Sequence, residues 1–205
     1  MNNKKIGLFF GTFNPIHVGH LIIANYMAEF TSLDKVWLVV SPQNPLKQKK
    51  SLLADYHRLA MARIAVEDNP HIQVSDIEFK LPKPSYTIHT IVYLKEKYPD
   101  KSFVLIMGED NLRSFHKWKN HEELLKQVEI YVYPRALTEQ EKKETEKFSD
   151  NTFISHPKVQ YFEDVPVMKL SASFIREAIK KGKDVRYLLT EPVYEYVKEM
   201  HFYEK

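Results

Sequence analysis

The segment Phe103-Val104-Leu105-Ile106-Met107 carries no polar side chain on either face of an extended chain, and Val36-Trp37-Leu38-Val39-Val40 repeats the pattern. Strands of this kind must be covered on both sides, as in a parallel sheet held between two layers of helices. Ile6-Gly7-Leu8-Phe9-Phe10, Ile72-Gln73-Val74, Val128-Glu129-Ile130-Tyr131-Val132 and Val159-Gln160-Tyr161 read as further strands. Between and after them, the spacing predicts helices at about 18–30, 55–67, 86–97, 121–127, 171–181 and 191–200. Strand and helix alternate, which predicts a single-domain α/β protein over residues 1–205, a doubly wound parallel sheet with a C-terminal helical portion.

Local signals support several boundaries. Asp55 is a candidate cap for the helix bearing Leu59, Ala60, Ala62, Ile64 and Ala65, and Ser85 or Tyr86 opens the one bearing Ile88, Ile91, Val92 and Leu94. Ser171 or Ser173 caps the next, Lys180-Lys181-Gly182 closes it, and Thr190-Glu191-Pro192 starts the last. The run from Thr138 to Lys147 is so charged that it reads as a solvated helix or a mobile insertion, with no chemistry assigned.

Composition removes whole classes of function. Thirty basic against 27 acidic residues leave a formal charge of +3, without the basic stripe of a nucleic-acid binder, so the expected partners are small anions. No segment approaches the roughly 20 apolar residues needed to span a bilayer, and Met1–Lys5 leads straight into a strand, so the expected location is cytoplasmic. With no cysteine in the chain, disulfides, thiolate metal sites and cysteine nucleophiles are excluded. Self-association is left open.

Chemistry concentrates where the first strand ends, at Gly11-Thr12-Phe13-Asn14-Pro15-Ile16-His17-Val18-Gly19-His20. Three residues of helix turn through about 300°, so His17 and His20 project from nearly one face and can address one ligand. A helix N-terminus adds unpaired N–H groups and the positive end of the helix dipole, which suits phosphate. Gly19 keeps the backbone unobstructed there. Gly108 and Asp110 follow the most apolar strand and fit a ligand crevice at the carboxyl edge of the sheet, Asp110 as a ribose contact or as a helix cap.

Thr12 and His17-Val18-Gly19-His20 resemble the signature of the His-x-Gly-His nucleotidyltransferase superfamily. Ser41-Pro42-Gln43-Asn44-Pro45-Leu46-Lys47, Ser85-Tyr86-Thr87, Gly108-Glu109-Asp110-Asn111 with Phe115-His116-Lys117-Trp118, Tyr133-Pro134-Arg135, and Leu170-Ser171-Ala172-Ser173-Phe174-Ile175-Arg176 occur in the order found in bacterial nicotinate-nucleotide adenylyltransferases. The resemblance spans nearly the whole chain. It implies a Rossmann-like nucleotidyltransferase fold and adenylyl transfer from ATP to nicotinate mononucleotide, giving deamido-NAD and pyrophosphate in NAD biosynthesis. An adenylyltransferase of the same superfamily acting on nicotinamide mononucleotide or phosphopantetheine is the enzymatic alternative, and a non-catalytic nucleotide sensor is the alternative of a different class.

The resemblance also assigns roles. His17, His20 and Arg176 form the catalytic group, with Gly11, Thr12, Gly19, Lys47, Gly108, Asp110, Arg135 and Ser173 around ATP and its phosphates. Helices over about 171–200 complete the ATP side. Ser85, Tyr86, Thr87 and Trp118 form the pyridine side, where an aromatic plane stacks on the ring and a helix start meets the carboxylate. Mg²⁺ is expected to enter with ATP, held mainly by its phosphates, with no metal ligand assigned in the chain. Two departures from the family pattern are Ala172, where a hydroxyl is usual, and Leu46, where a histidine is.

Overall fold

Alternate residues of the apolar runs feed two different cores. In the strand Lys101–Gly108, Phe103, Leu105 and Met107 enter one buried cluster while Val104 and Ile106 enter the other. Each of these side chains, once buried, contributes about 1.5–3 kcal/mol, and neither face of the strand is left for water.

The computed structural model of the protein describes residues 4–42, 52–134 and 153–204. Strands β1 (Lys4–Gly11), β2 (Lys35–Val40), β3 (Ile72–Ser75), β4 (Lys101–Gly108), β5 (Glu129–Tyr133) and β6 (Val159–Tyr161) form one sheet in the order β3-β2-β1-β4-β5-β6, every pairing parallel. On one face pack α1 (Val18–Glu29), α2 (Asp55–Ala65), α6 (Ala172–Lys180) and α7 (Glu191–Glu199); on the other, α3 (Thr87–Lys97), the short α4 (Glu109–Arg113) and α5 (His121–Gln127). This is the doubly wound sheet expected from the sequence, with the strands within a residue or two of the expected positions. No helix among the described residues is long and apolar enough to cross a membrane.

The strand order reverses between β1 and β4. Connections leaving their carboxyl ends run to opposite faces of the sheet, and a crevice opens between Gly11 and Gly108.

Several helix starts differ from expectation. Ala54, not Asp55, occupies the cap position of α2, because Asp55 is drawn into an ion pair with Arg58 three residues on. The buried face of α2 is Arg58, Met61 and Ala62, and Val92 of α3 is exposed to solvent. Ser171 is the residue that caps α6, accepting from the Phe174 N–H at 3.2 Å. Gly182 then closes the helix in the left-handed region at φ 65°. Helix α4 has no counterpart among the sequence-derived helices, since five residues are too few to show a period.

Candidate active site

At the reversal point lies a cleft of about 400 Å³, a size suited to a small molecule. Its lining gathers residues more than 150 positions apart in the chain: Gly11, Thr12, His17, Gly19 and His20 from β1 and α1, Gly108 and Asp110 from β4 and α4, and Ser173 and Arg176 from α6. All nine belong to the catalytic and phosphate group singled out in the sequence. Lys47, Arg135 and the charged run 138–147 lie outside the described residues.

The turn after β1 is shaped by Phe13, whose φ of 45° places it in the left-handed region and whose ring is 1% exposed. That ring lies so close to Gly11 that a Cβ there would come within 2.8 Å of it, so only glycine fits. Phe13 also meets the His20 ring edge-on at a centroid distance of 5.1 Å. His17 is the cap residue of α1 rather than part of its first turn, with extended backbone, and His20 is the third residue of the helix. Their rings nevertheless converge, stacked at 3.7 Å and 28°. Gly19 has a reason beyond ligand access: a Cβ there would press on the His17 ring at 3.0 Å.

The two imidazoles are not equivalent. The His17 N–H donates to His20 Nδ1 at 3.3 Å, which fixes the tautomer of His20 with its proton on Nε2. His17 is 4% exposed, its Nδ1 is buried, and burial pushes its pKa from 6.5 down to about 4. It therefore enters the site as a neutral group. Between pH 6.5 and 4 the unfolded chain takes up a proton at His17 that the folded protein resists, so this contribution to stability is complete above pH 6.5 and lost as pH falls toward 4. Unfolding free energy should drop by about 3 kcal/mol over that range from His17 alone. Denaturant titrations of wild type and His17→Asn at pH 7 and pH 4 should show the variant losing less by that amount, and equal losses would contradict it.

Opposite the histidines, Arg176 ties α6 to the turn. Its guanidinium donates to the Asn14 carbonyl at 2.8 Å and to Ser173 Oγ at 3.1 Å. Asn14 is gripped on its side chain as well, where Oδ1 accepts from the Tyr203 hydroxyl at 2.8 Å and from the Leu53 N–H at 3.3 Å. Sequence reasoning passed over Asn14 and Tyr203.

It also passed over Arg58, which is fully buried and uses all five of its N–H groups. They reach the carbonyls of Leu53, Thr12, Ser41 and Pro42 at 3.0, 2.7, 2.7 and 3.2 Å, and Asp55 Oδ1 at 2.5 Å. One side chain thus joins the turn after β1 to the end of β2 and the start of α2. The arginine stands on the inward face of an amphipathic helix, the only signal the sequence carries.

The pyridine group is placed elsewhere. Ser85, Tyr86, Thr87 and Trp118 do not line the cleft; they lie beyond the reversal point, against the core on the other face of the sheet. Tyr86 is the cap residue of α3 and Thr87 its first residue. The Lys119 ammonium lies 4.3 Å over the Tyr86 ring, so the structure brings the 118–119 turn to the start of α3. Ser85 Oγ and Trp118 Nε1 are both buried without a hydrogen-bond partner. Unsatisfied buried polar atoms are uncommon and call for a ligand, a water or a functional reason.

Residues 8–178 match the cytidylyltransferase-like family. Proteins named "probable nicotinate-nucleotide adenylyltransferase" from Flavobacterium johnsoniae and Christiangramia forsetii are 54% and 50% identical to this chain, each over 98% of it and 100% of their own length. The solved structure of Plasmodium falciparum nicotinic acid mononucleotide adenylyltransferase complexed with NaAD shares the fold at 19% identity and a TM-score of 0.76, over 98% of both chains. With a nucleotide-sized cleft at the reversal point and relatives matched from end to end, the chain belongs to the nicotinate-nucleotide adenylyltransferases within the cytidylyltransferase-like family.

Proposed function

We propose that the protein transfers the adenylyl group of ATP to nicotinate mononucleotide, releasing pyrophosphate and forming deamido-NAD. The observation that carries this reading is the stacked His17/His20 pair at a helix start in the β1/β4 crevice, facing Arg176. In the reaction, an oxygen of the mononucleotide 5′-phosphate attacks the α-phosphorus of ATP, and the bond from that phosphorus to the oxygen bridging to the β-phosphate breaks. No group on the protein has to form a bond. Alignment and fixed hydrogen-bond donors supply the rate, alignment contributing up to about 7–11 kcal/mol.

His20 Nε2–H is the donor assigned to the α-phosphate, where negative charge grows. Neutral His17, the Thr12 hydroxyl and the N-terminus of α1 bind phosphate oxygens beside it, with Gly11, Gly19 and Gly108 keeping the floor of the cleft open. Asp110 contacts the ribose. Ser173 and Arg176 receive the departing pyrophosphate, Arg176 exchanging the Asn14 carbonyl for phosphate oxygens. The donor set fits Mg²⁺ arriving on the triphosphate, since imidazole, hydroxyl and guanidinium groups take phosphate oxygens and leave the ion to be held mainly by the phosphates themselves. Bound there, the ion neutralises phosphate charge.

The acceptor occupies the start of α3. Trp118 stacks on the pyridinium ring, and the helix N-terminus at Tyr86 and Thr87, with Ser85, favours the nicotinate carboxylate over a neutral amide. The NaAD complex of the Plasmodium enzyme and the names of the bacterial relatives support this acceptor. The protein acts as one unit in the cytoplasm, where ATP and mononucleotides are found.

Pyrophosphate release should proceed with nicotinate mononucleotide at a kcat/KM at least about tenfold above that with the nicotinamide form, a difference of about 1.4 kcal/mol. ATP consumption with neither acceptor would defeat the reading. Trp118→Ala should raise KM for the mononucleotide about 2- to 30-fold, the equivalent of the 0.5–2 kcal/mol of ring–cation contact. A change confined to KM for ATP would place Trp118 on the wrong substrate.

A further inference from the structure

Glu78 is 2% exposed and is the only acidic side chain among the described residues to be fully buried. It stands in the helical turn Ile77–Lys80 that leaves β3. Its neighbours are hydroxyls rather than cations. Thr90 Oγ1 donates to Glu78 Oε1 at 2.9 Å, and the hydroxyls of Ser41 and Ser85 face the carboxyl from two other segments. Burial outweighs these hydroxyls and holds the carboxyl above the usual carboxylate range. Glu78 Oε2 and Ser85 Oγ remain buried without a well-formed bond.

An acid in this position is costly, and an apolar side chain of similar size would ordinarily serve stability as well or better. The three hydroxyls around it show what it connects. Ser41 ends the β2 segment, with its N–H on the Gly11 carbonyl at 2.9 Å and its own carbonyl on Arg58. Ser85 directly precedes the cap of α3. Thr90 lies one turn into that helix, 3.5 Å from the Tyr86 carbonyl. A hydroxyl has one proton to give, and the shorter contact shows that Glu78 takes it, which leaves the Tyr86 carbonyl to the helix N–H groups of His89 and Thr90.

We infer that Glu78 is a positioning residue for the mononucleotide half of the site, holding the Ser85-Tyr86-Thr87 start of α3 in place against the turn after β3. It touches neither substrate. The inference rests on the proposed placement of the mononucleotide at that helix start. The bond from Thr90 to Oε1 ties the first turn of α3 to the turn after β3, so the helix start is set from below before the substrate arrives. Preorganisation of this kind lowers the cost of binding without entering the chemical step.

The test is steady-state kinetics on Glu78→Ala, Glu78→Gln and Trp118→Ala in parallel. Glu78→Ala should raise KM for nicotinate mononucleotide by about tenfold or more while KM for ATP stays within about twofold and kcat within about threefold. Glu78→Gln keeps an acceptor for Thr90 and an amide able to bond either serine, so it should bring KM back to within about threefold of wild type. If the alanine variant does not fold, Thr90→Val removes the same bond in the same shape and should shift KM for the mononucleotide in the same direction. Equal rises in both KM values, a fall in melting temperature with KM unchanged, or no rescue by glutamine would each overturn the inference. A raised mononucleotide KM in Trp118→Ala but not in Glu78→Ala overturns the role of Glu78 alone. If neither variant moves it, the placement of the mononucleotide falls as well.

Discussion

His20→Ala is expected to lower kcat by about 10²–10³-fold, the loss seen when one preorganised donor is removed from the site of developing charge. The effect should fall on kcat more than on KM for ATP, because the charge on the α-phosphate grows as the reaction proceeds and the donor is matched to that growth. Three contacts fix the donor: the His17 N–H on Nδ1, the His17 ring stacked on one face and the Phe13 ring meeting it edge-on. His20 is only half buried, so unfolding in urea should shift little, which separates lost chemistry from lost fold. A kcat within about threefold of wild type would remove His20 from the mechanism.

Arg58→Met should have the largest effect on stability. Methionine fills much of the same space but strands four carbonyls and Asp55, and breaking a buried charge network by removing one partner costs about 3–5 kcal/mol. That is a large part of the 5–15 kcal/mol by which most folded proteins are stable. Turnover should fall too, because the carbonyl of Thr12 loses its anchor and the turn carrying His17 with it. Arg58→Lys keeps the charge but cannot reproduce five donors in a plane, so it should fall between the two. Urea unfolding gives the answer directly, and a wild-type midpoint for Arg58→Met would mean that the network is dispensable.

What was legible in the sequence follows from what was periodic or positional. β4 could be read because its side chains from Phe103 to Met107 are all buried, on one face or the other, and the His17/His20 pair because it follows such a strand at a helix start. Arg58 and Glu78 were not legible. Both are charged residues in the interior, and a search for apolar periodicity counts them as solvent-facing by default. Asn14 was passed over, since neither its grip by Arg176 and Tyr203 nor the separation of 162 and 189 positions leaves any local trace. The pyridine side came from family resemblance. The structure joins Tyr86 to the 118–119 turn, but does so on the opposite face of the sheet from the histidines, an arrangement that no spacing in the chain announces.

The bond from Tyr203 to Asn14 has a consequence for how the protein comes into being. The hydroxyl that steadies the turn after β1 is synthesised 189 positions later than the turn itself. A ribosome-bound chain can lay down β1, α1 and β2 and still lack a finished turn. The turn is therefore complete only once translation has passed residue 203, and a proteolytic nick between α7 and Tyr203 would return it to its unfinished state.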